Sequence, residues 1–170
     1  MSEELSPAIP NRVEQLATQV LQCACDRHFK LATAESCTGG LLASLLTDVE
    51  GCSHAFERGF VVYSDAAKQE MLGIPQRILN DAGAVSKEAA FAMAEGGLRY
   101  SHADICVAIT GFAGPGGPES TPGLVHIAVA RRQVPTLHWC GEIEDSSRGG
   151  VRLASIEHAL ELVWEQLQVE

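Results

Sequence analysis

The stretch "LATAESCTGGLLASLL" (residues 31–46) changes its period part-way along. "KLATAE" (30–35) is short and mostly apolar, as in a strand, while the apolar residues that follow Gly40 suit a helix. Between them stand Glu35, Ser36, Cys37, Thr38, Gly39 and Gly40, small or polar residues that suit a tight connection. The stretch therefore reads as a strand over 30–35, a turn, and a helix within 38–49 that begins at or just after the glycines. Strands and helices that alternate in this way build an α/β fold.

The pattern continues on both sides. Upstream, Val13, Leu16, Ala17, Val20, Leu21 and Ala24 follow helical spacing, and Asn11 with Glu14 three residues on reads as a capping box. Residues 1–10, with two prolines, read as a loose leader. Downstream, "GFVVY" (59–63) is a strand and "DAAKQEMLG" (65–73) is a short helix closed by Gly73 with Pro75 beyond. Another helical turn falls in 75–86, and Ser86 caps a helix over 86–101. "ADICVAIT" (103–110) is a buried strand, followed by a loop dense in glycine and proline. Residues 124–131 and 136–143 are strands with a short connection around Pro135, so they are expected to pair antiparallel. Residues 147–168 form a closing amphipathic helix whose core face carries Leu153, Ile156, Leu160, Val163, Trp164 and Leu167. The expected architecture is a three-layer α/β/α sandwich with a mixed, mostly parallel sheet, in one domain over 11–170.

Composition limits the partners. The 170 residues are 46% hydrophobic and 20% charged, enough to build a core without metal or disulfide staples. The net charge of −10 opposes binding to a phosphate backbone, so no nucleic-acid partner is expected. No apolar run approaches the roughly 20 residues of a membrane span, and the polar N-terminus is not a signal peptide. The six cysteines show no paired CxxC spacing, and Cys23-Ala24-Cys25 is too tight to bridge easily, so they read as reduced thiols in a cytoplasmic protein. The six histidines make no HxxxH or HExxH pair, and neither a metal nor a cofactor is expected.

Three loops follow strands and are rich in Gly, Ser and Thr: 35–40, 63–68 and 110–123. In an open α/β sheet such loops line the ligand crevice. In the first, Ser36 stands where the free N–H groups of a helix start favour an anion, although Ser36 and Thr38 also suit plain capping. Cys37 is a rival nucleophile, but it wants a histidine partner and none lies in the three loops. Glu35 suits a ligand hydroxyl, a donor that needs orienting, or a surface position. The second loop offers Tyr63, Asp65 and Lys68. A lysine freed of its proton by burial makes a Ser–Lys dyad, whereas an exposed one pairs with nearby acids; Tyr63 equally suits the core. The third presents Thr110, Gly111, Gly114, Gly116 and Gly117, which allow close backbone approach but match neither a Walker motif nor a dinucleotide fingerprint. Arg148 and Arg152, one helical turn apart, can reach a phosphate or face solvent.

Taken in order, "TAESCTGG", "ERGFVVYSDAAKQEMLGI", "GAVS" and "AITGFAGP" resemble the CinA carboxy-terminal domain family, over nearly the whole chain from about residue 11. The resemblance implies hydrolysis of the carboxamide of nicotinamide mononucleotide to nicotinate mononucleotide and ammonia, by a serine–lysine dyad without metal. By motif, Ser36 would be the nucleophile and Lys68 the base, with Tyr63 and Thr110 positioning or polarising them. The N–H groups of Thr38 to Gly40 or of Gly111 would form the oxyanion hole. Arg148 and Arg152, in "RGGVR", would take the 5′-phosphate, and the assembly would be a homo-oligomer. Three departures stand out: Asp65 replaces the usual Asn, the glycine-rich loop is shortened, and Gly149 and Gly150 loosen the start of the last helix. Asp65 is expected to favour a protonated Lys68. The alternative they raise is a nucleotide-binding or regulatory protein with little or no turnover.

Overall fold

Five strands form the middle layer of the computed structural model, which describes residues 8–114, 120–144 and 147–170. In chain order the elements are α1 (Asn11–Asp26), β1 (Leu31–Glu35), α2 (Leu41–Thr47), β2 (Phe56–Val61), α3 (Asp65–Leu72), α4 (Gln76–Asp81), α5 (Lys87–Arg99), β3 (Ile105–Gly111), β4 (Leu124–Arg131), β5 (Val134–Glu142) and α6 (Arg148–Gln168). The sheet runs β2-β1-β3-β4-β5. β1 is parallel to both β2 and β3, while β4 is antiparallel to both β3 and β5. The sheet is therefore mixed, with β4 alone running against the other four.

The two faces of the sheet differ in side-chain volume. Leu31, Ile105, Val107, Ile109, Val125, Ile127 and Val129 share a core with α1, α2 and α6. The alternate positions Ala32, Ala34, Cys106, Ala108, Ala128 and Ala130 share a second core with α3, α4 and α5. Strand residues alternate between faces, so one period-2 pattern writes a bulky face and a small face at once. The layers form an α/β/α sandwich. The small face lets α5 come close, and a Cβ added at Gly97 would collide with Cys106 Sγ. One added at Gly96 would strike the carbonyl of Leu72 at the end of α3.

Local boundaries differ from expectation in a few places. Asn11 is not a cap: Pro10 precedes the first turn of α1, no side chain bonds there, and the Pro10 carbonyl receives the Val13 N–H. β2 begins at Phe56 and stops at Val61, short of Tyr63. The β4–β5 connection is Arg132-Gln133, with Gln133 at φ 65°, and Pro135 lies inside β5. An edge strand tolerates a proline there because one row of its N–H groups has no partner to lose. Trp164 is 38% exposed and leaves the core face of α6 to its neighbours. Ser86 and Ser147 do cap α5 and α6, and Gly73 closes α3 at φ 64°. Leader residues 1–7 lie outside the described residues. Among the described residues no helix is long and apolar enough to cross a membrane.

The close approach of α5 sets a clear test. Alanine exceeds glycine in helix propensity by about 1 kcal/mol. Gly97→Ala should nonetheless destabilise the fold by about 1–3 kcal/mol through overpacking against Cys106, read as a lower urea midpoint.

Candidate active site

Glu35 ends β1 with its side chain wholly buried. Its carboxylate accepts the Thr38 hydroxyl at 2.6 Å, the Leu42 N–H at 3.1 Å and the Ala43 N–H at 2.8 Å. It therefore caps α2 from the preceding strand, where the helix dipole favours an anion. Two helix-start donors, the Leu42 and Ala43 N–H groups, are taken by Glu35, which is buried together with Thr38. Gly39 and Gly40 turn the chain in the left-handed region, at φ 62° and 92°. The Gly39 N–H is held by the Ser36 carbonyl at 3.1 Å. Among the described residues, the N–H groups of Cys37, Thr38 and Gly40 have no protein acceptor.

Ser36 continues the β1–β3 ladder through its N–H to the Ile109 carbonyl at 3.0 Å. Its Oγ lies 3.4 Å from Lys68 Nζ, which also donates to the Tyr63 carbonyl at 3.3 Å. Lys68 is only 2% exposed. Two long contacts underserve an ammonium with three donors. Burial lowers the lysine pKa from its ordinary 10.5, while Asp65, and more weakly Cys37, push it upward; burial wins. Asp65 does push the lysine pKa up, as expected, but burial outweighs it. Asp65 is exposed, and among the described residues no ion pair joins the two. Water screens the carboxylate, whereas nothing relieves the desolvation of the amine.

The other expected residues divide by layer. Tyr63 is 70% exposed, so its ring is outside the core and its carbonyl is what meets Lys68. Thr110 is buried and donates at 2.6 Å to the Ala84 carbonyl, so its hydroxyl anchors the chain before α5 rather than polarising the dyad. Arg152 reaches from α6 and donates from Nε to the Cys37 carbonyl at 2.9 Å, clamping the 36–40 turn. Cys37 is 5% exposed, and burial pushes its thiol up to about 12, which removes it as a nucleophile near neutral pH.

A cleft of about 130 Å³ opens beside these groups, lined by Cys37, Tyr63, Gly111, Phe112, Ala113, Gly114 and Arg148. Gly111 ends β3 and Arg148 packs against Gly114, so the third loop and the start of α6 supply most of the lining, with Cys37 and Tyr63 from the other two loops. Phe112 and Ala113 were missed as lining residues, although both stand within "AITGFAGP". Gly116 and Gly117 lie outside the described residues.

The model of the CinA C-terminal domain matches residues 13–167. This chain belongs to the CinA C-terminal domain family. Curated relatives named nicotinamide-nucleotide amidohydrolase PncC, from Shigella flexneri and Escherichia coli K12, are each 42% identical over 89% of the chain and 93% of their own length. A putative competence-damage inducible protein from Symbiobacterium thermophilum is 43% identical over 88% of the chain. The chain spans only 37% of that relative, and 26% of CinA-like and competence-damage relatives from Akkermansia muciniphila and Caldicellulosiruptor bescii. Among solved structures, competence/damage inducible protein CihA from Agrobacterium tumefaciens superposes with a TM-score of 0.88 at 40% identity, over 98% of this chain and all of that one.

In this CinA-family chain, the Glu35 cap is the feature most open to mutation. Glu35→Ala leaves buried donors unmet and should cost about 3 kcal/mol or more. Glu35→Gln, which keeps acceptor capacity, should cost less. Chemical denaturation of both variants checks the order.

Proposed function

We propose that this chain hydrolyses the carboxamide of nicotinamide mononucleotide, with Ser36 as nucleophile and Lys68 as base. The observation that carries it is the buried Lys68 Nζ–Ser36 Oγ contact at 3.4 Å. The family membership and the names of the PncC relatives supply the substrate. A homo-oligomer in the cytoplasm is part of the same proposal.

A neutral lysine has two N–H donors and one lone pair. With one N–H on the Tyr63 carbonyl, the lone pair can face Ser36 Oγ. Ser36 attacks the carboxamide carbon as its proton passes to Lys68. The oxygen of the tetrahedral intermediate takes the negative charge, and the N–H groups of Cys37, Thr38 and Gly40 are the donors closest in sequence to receive it. Lys68 then returns the proton to the amide nitrogen, the C–N bond breaks and ammonia leaves. Water, deprotonated by the same lysine, cleaves the acyl-enzyme to nicotinate mononucleotide and restores Ser36. In this reading Arg148, which lines the cleft, takes the 5′-phosphate, and Arg152, bonded to the Cys37 carbonyl, serves as a positioning residue.

Ammonia release from nicotinamide mononucleotide by the purified protein tests this. Ser36→Ala and Lys68→Met should each lower the rate by at least about 10³-fold. Substrate binding without ammonia release by the wild type would instead support a nucleotide-binding protein. Lys68→Met should also stabilise the fold by about 1–2 kcal/mol, because a buried amine is removed. The sign follows from linkage: between the folded pKa and 10.5 the unfolded chain holds the extra proton, so wild-type stability rises with pH across that window. The gain from Lys68→Met is therefore largest below the lysine's folded pKa and shrinks as pH rises toward 10.5.

A base must be neutral to act, so the rate should rise with pH through the lysine pKa. Asp65 raises that pKa. Asp65→Asn should move the rising limb of the kcat/KM profile to lower pH; an unmoved limb would mean Asp65 does not sense Lys68.

A further inference from the structure

Away from the cleft, the end of α1 meets the turn that leads into β2, and three side chains with thiol chemistry converge there. Cys25, in the last turn of α1, is part-exposed, and its Sγ lies 3.2 Å from Nε2 of His54. His54 is exposed on the single 3₁₀ turn Ser53–Ala55. Cys52 immediately precedes that turn and is 2% exposed. Its thiol donates to Gln22 Oε1 at 3.3 Å, one helical turn before Cys25 on the same side of α1. We propose that Cys25, His54 and Cys52 form a peroxide-reactive dithiol site that closes a reversible Cys25–Cys52 disulfide.

The roles follow from the surroundings. Of the two thiols, Cys25 is the one with both solvent access and a base at hydrogen-bond distance. Cys52 is buried, and burial, the Cys25 thiol and Asp26 all disfavour its charged form, so it resolves rather than initiates. In the first step His54 takes the Cys25 proton and the sulfur attacks one oxygen of hydrogen peroxide. The O–O bond breaks, Cys25 becomes a sulfenic acid, and the departing hydroxide takes the proton from His54 as water. In the second, Cys52 sulfur attacks Cys25 sulfur; the S–OH bond breaks and the hydroxide leaves with the Cys52 proton as a second water. Two thiols are oxidised and one peroxide is reduced. The other cysteines lack this grouping. Cys37 and Cys106 are buried, with thiols pushed up by desolvation. Cys140 is exposed and its Sγ lies 3.6 Å from His126 Nε2, but no second cysteine is recorded against it among the described residues.

The test uses the full chain carrying Cys140→Ser, treated with stoichiometric hydrogen peroxide and followed by intact mass and peptide mapping. The expected result is loss of the mass of two hydrogen atoms, a linked pair of peptides containing Cys25 and Cys52, and reversal by a dithiol reductant. Cys52→Ser should stop at sulfenic acid on Cys25, trapped by dimedone. His54→Ala should slow the oxidation at least about tenfold while the same link still forms at longer times. Three results would overturn the proposal: a link that excludes Cys52, no faster oxidation at Cys25 than at Cys23, or an unchanged rate in His54→Ala. If Cys52→Ser fails to fold, the peptide map of the linked pair and the His54→Ala rate decide alone.

Discussion

One buried carboxylate organises the candidate site. Glu35 leaves β1 and immediately satisfies the first turn of α2, so the strand and the helix are joined by a charge-assisted bracket. With the helix donors occupied, the chain between them has to turn on Gly39 and Gly40. That turn sets Ser36 on the small face of the sheet and leaves the neighbouring N–H groups unclaimed. Arg152 holds the same turn from the opposite layer through the Cys37 carbonyl. A serine on a loose loop would lack this definition. Here it is fixed by a strand ladder on one side and a capped helix on the other.

Lys68 shows how magnitude decides between opposed effects. Asp65 lies three residues before it on α3 and raises its pKa, yet the net direction is downward. The carboxylate is in water, where its field is weakened, while the amine is packed among side chains with two long hydrogen-bond contacts. Keeping such a lysine costs stability, in the manner of other functional sites built from poorly solvated groups. The downward direction is the one the proposed role of Lys68 as a base calls for.

Much of the layer order was legible because alternation carries both faces of the sheet. The run "ICVAITG" spells bulky, small, bulky, small, and each set found its own helices. The cap at Ser86 was legible for a local reason, since it bonds a residue three positions on, as Ser147 does at the start of α6. Glu35 was harder: its partners are up to eight residues away, and only the fold shows that the helix turns back onto it. The Thr110 contact was hidden for the same reason, since its acceptor, the Ala84 carbonyl, is remote in sequence. Pro135 marks a strand interior because β5 is an edge, a fact that depends on strand order and not on local chemistry. Ser36 and Lys68 come from different elements; their pairing was one open alternative among the loop residues, and the family's motif order singled it out.

The small face of the sheet has a consequence that reaches the chemistry. Alanines under α5 bring that helix down onto the strands, and Gly96 brings α3 down onto α5 at the Leu72 carbonyl. Lys68 is carried on α3, and Ser36 is anchored to the sheet. The stacked thicknesses of alanine and glycine therefore act as a caliper whose jaws are the amine and the hydroxyl. A core usually read as mere filling here sets a gauge, and a single methyl group added on this side would open the jaws from a distance.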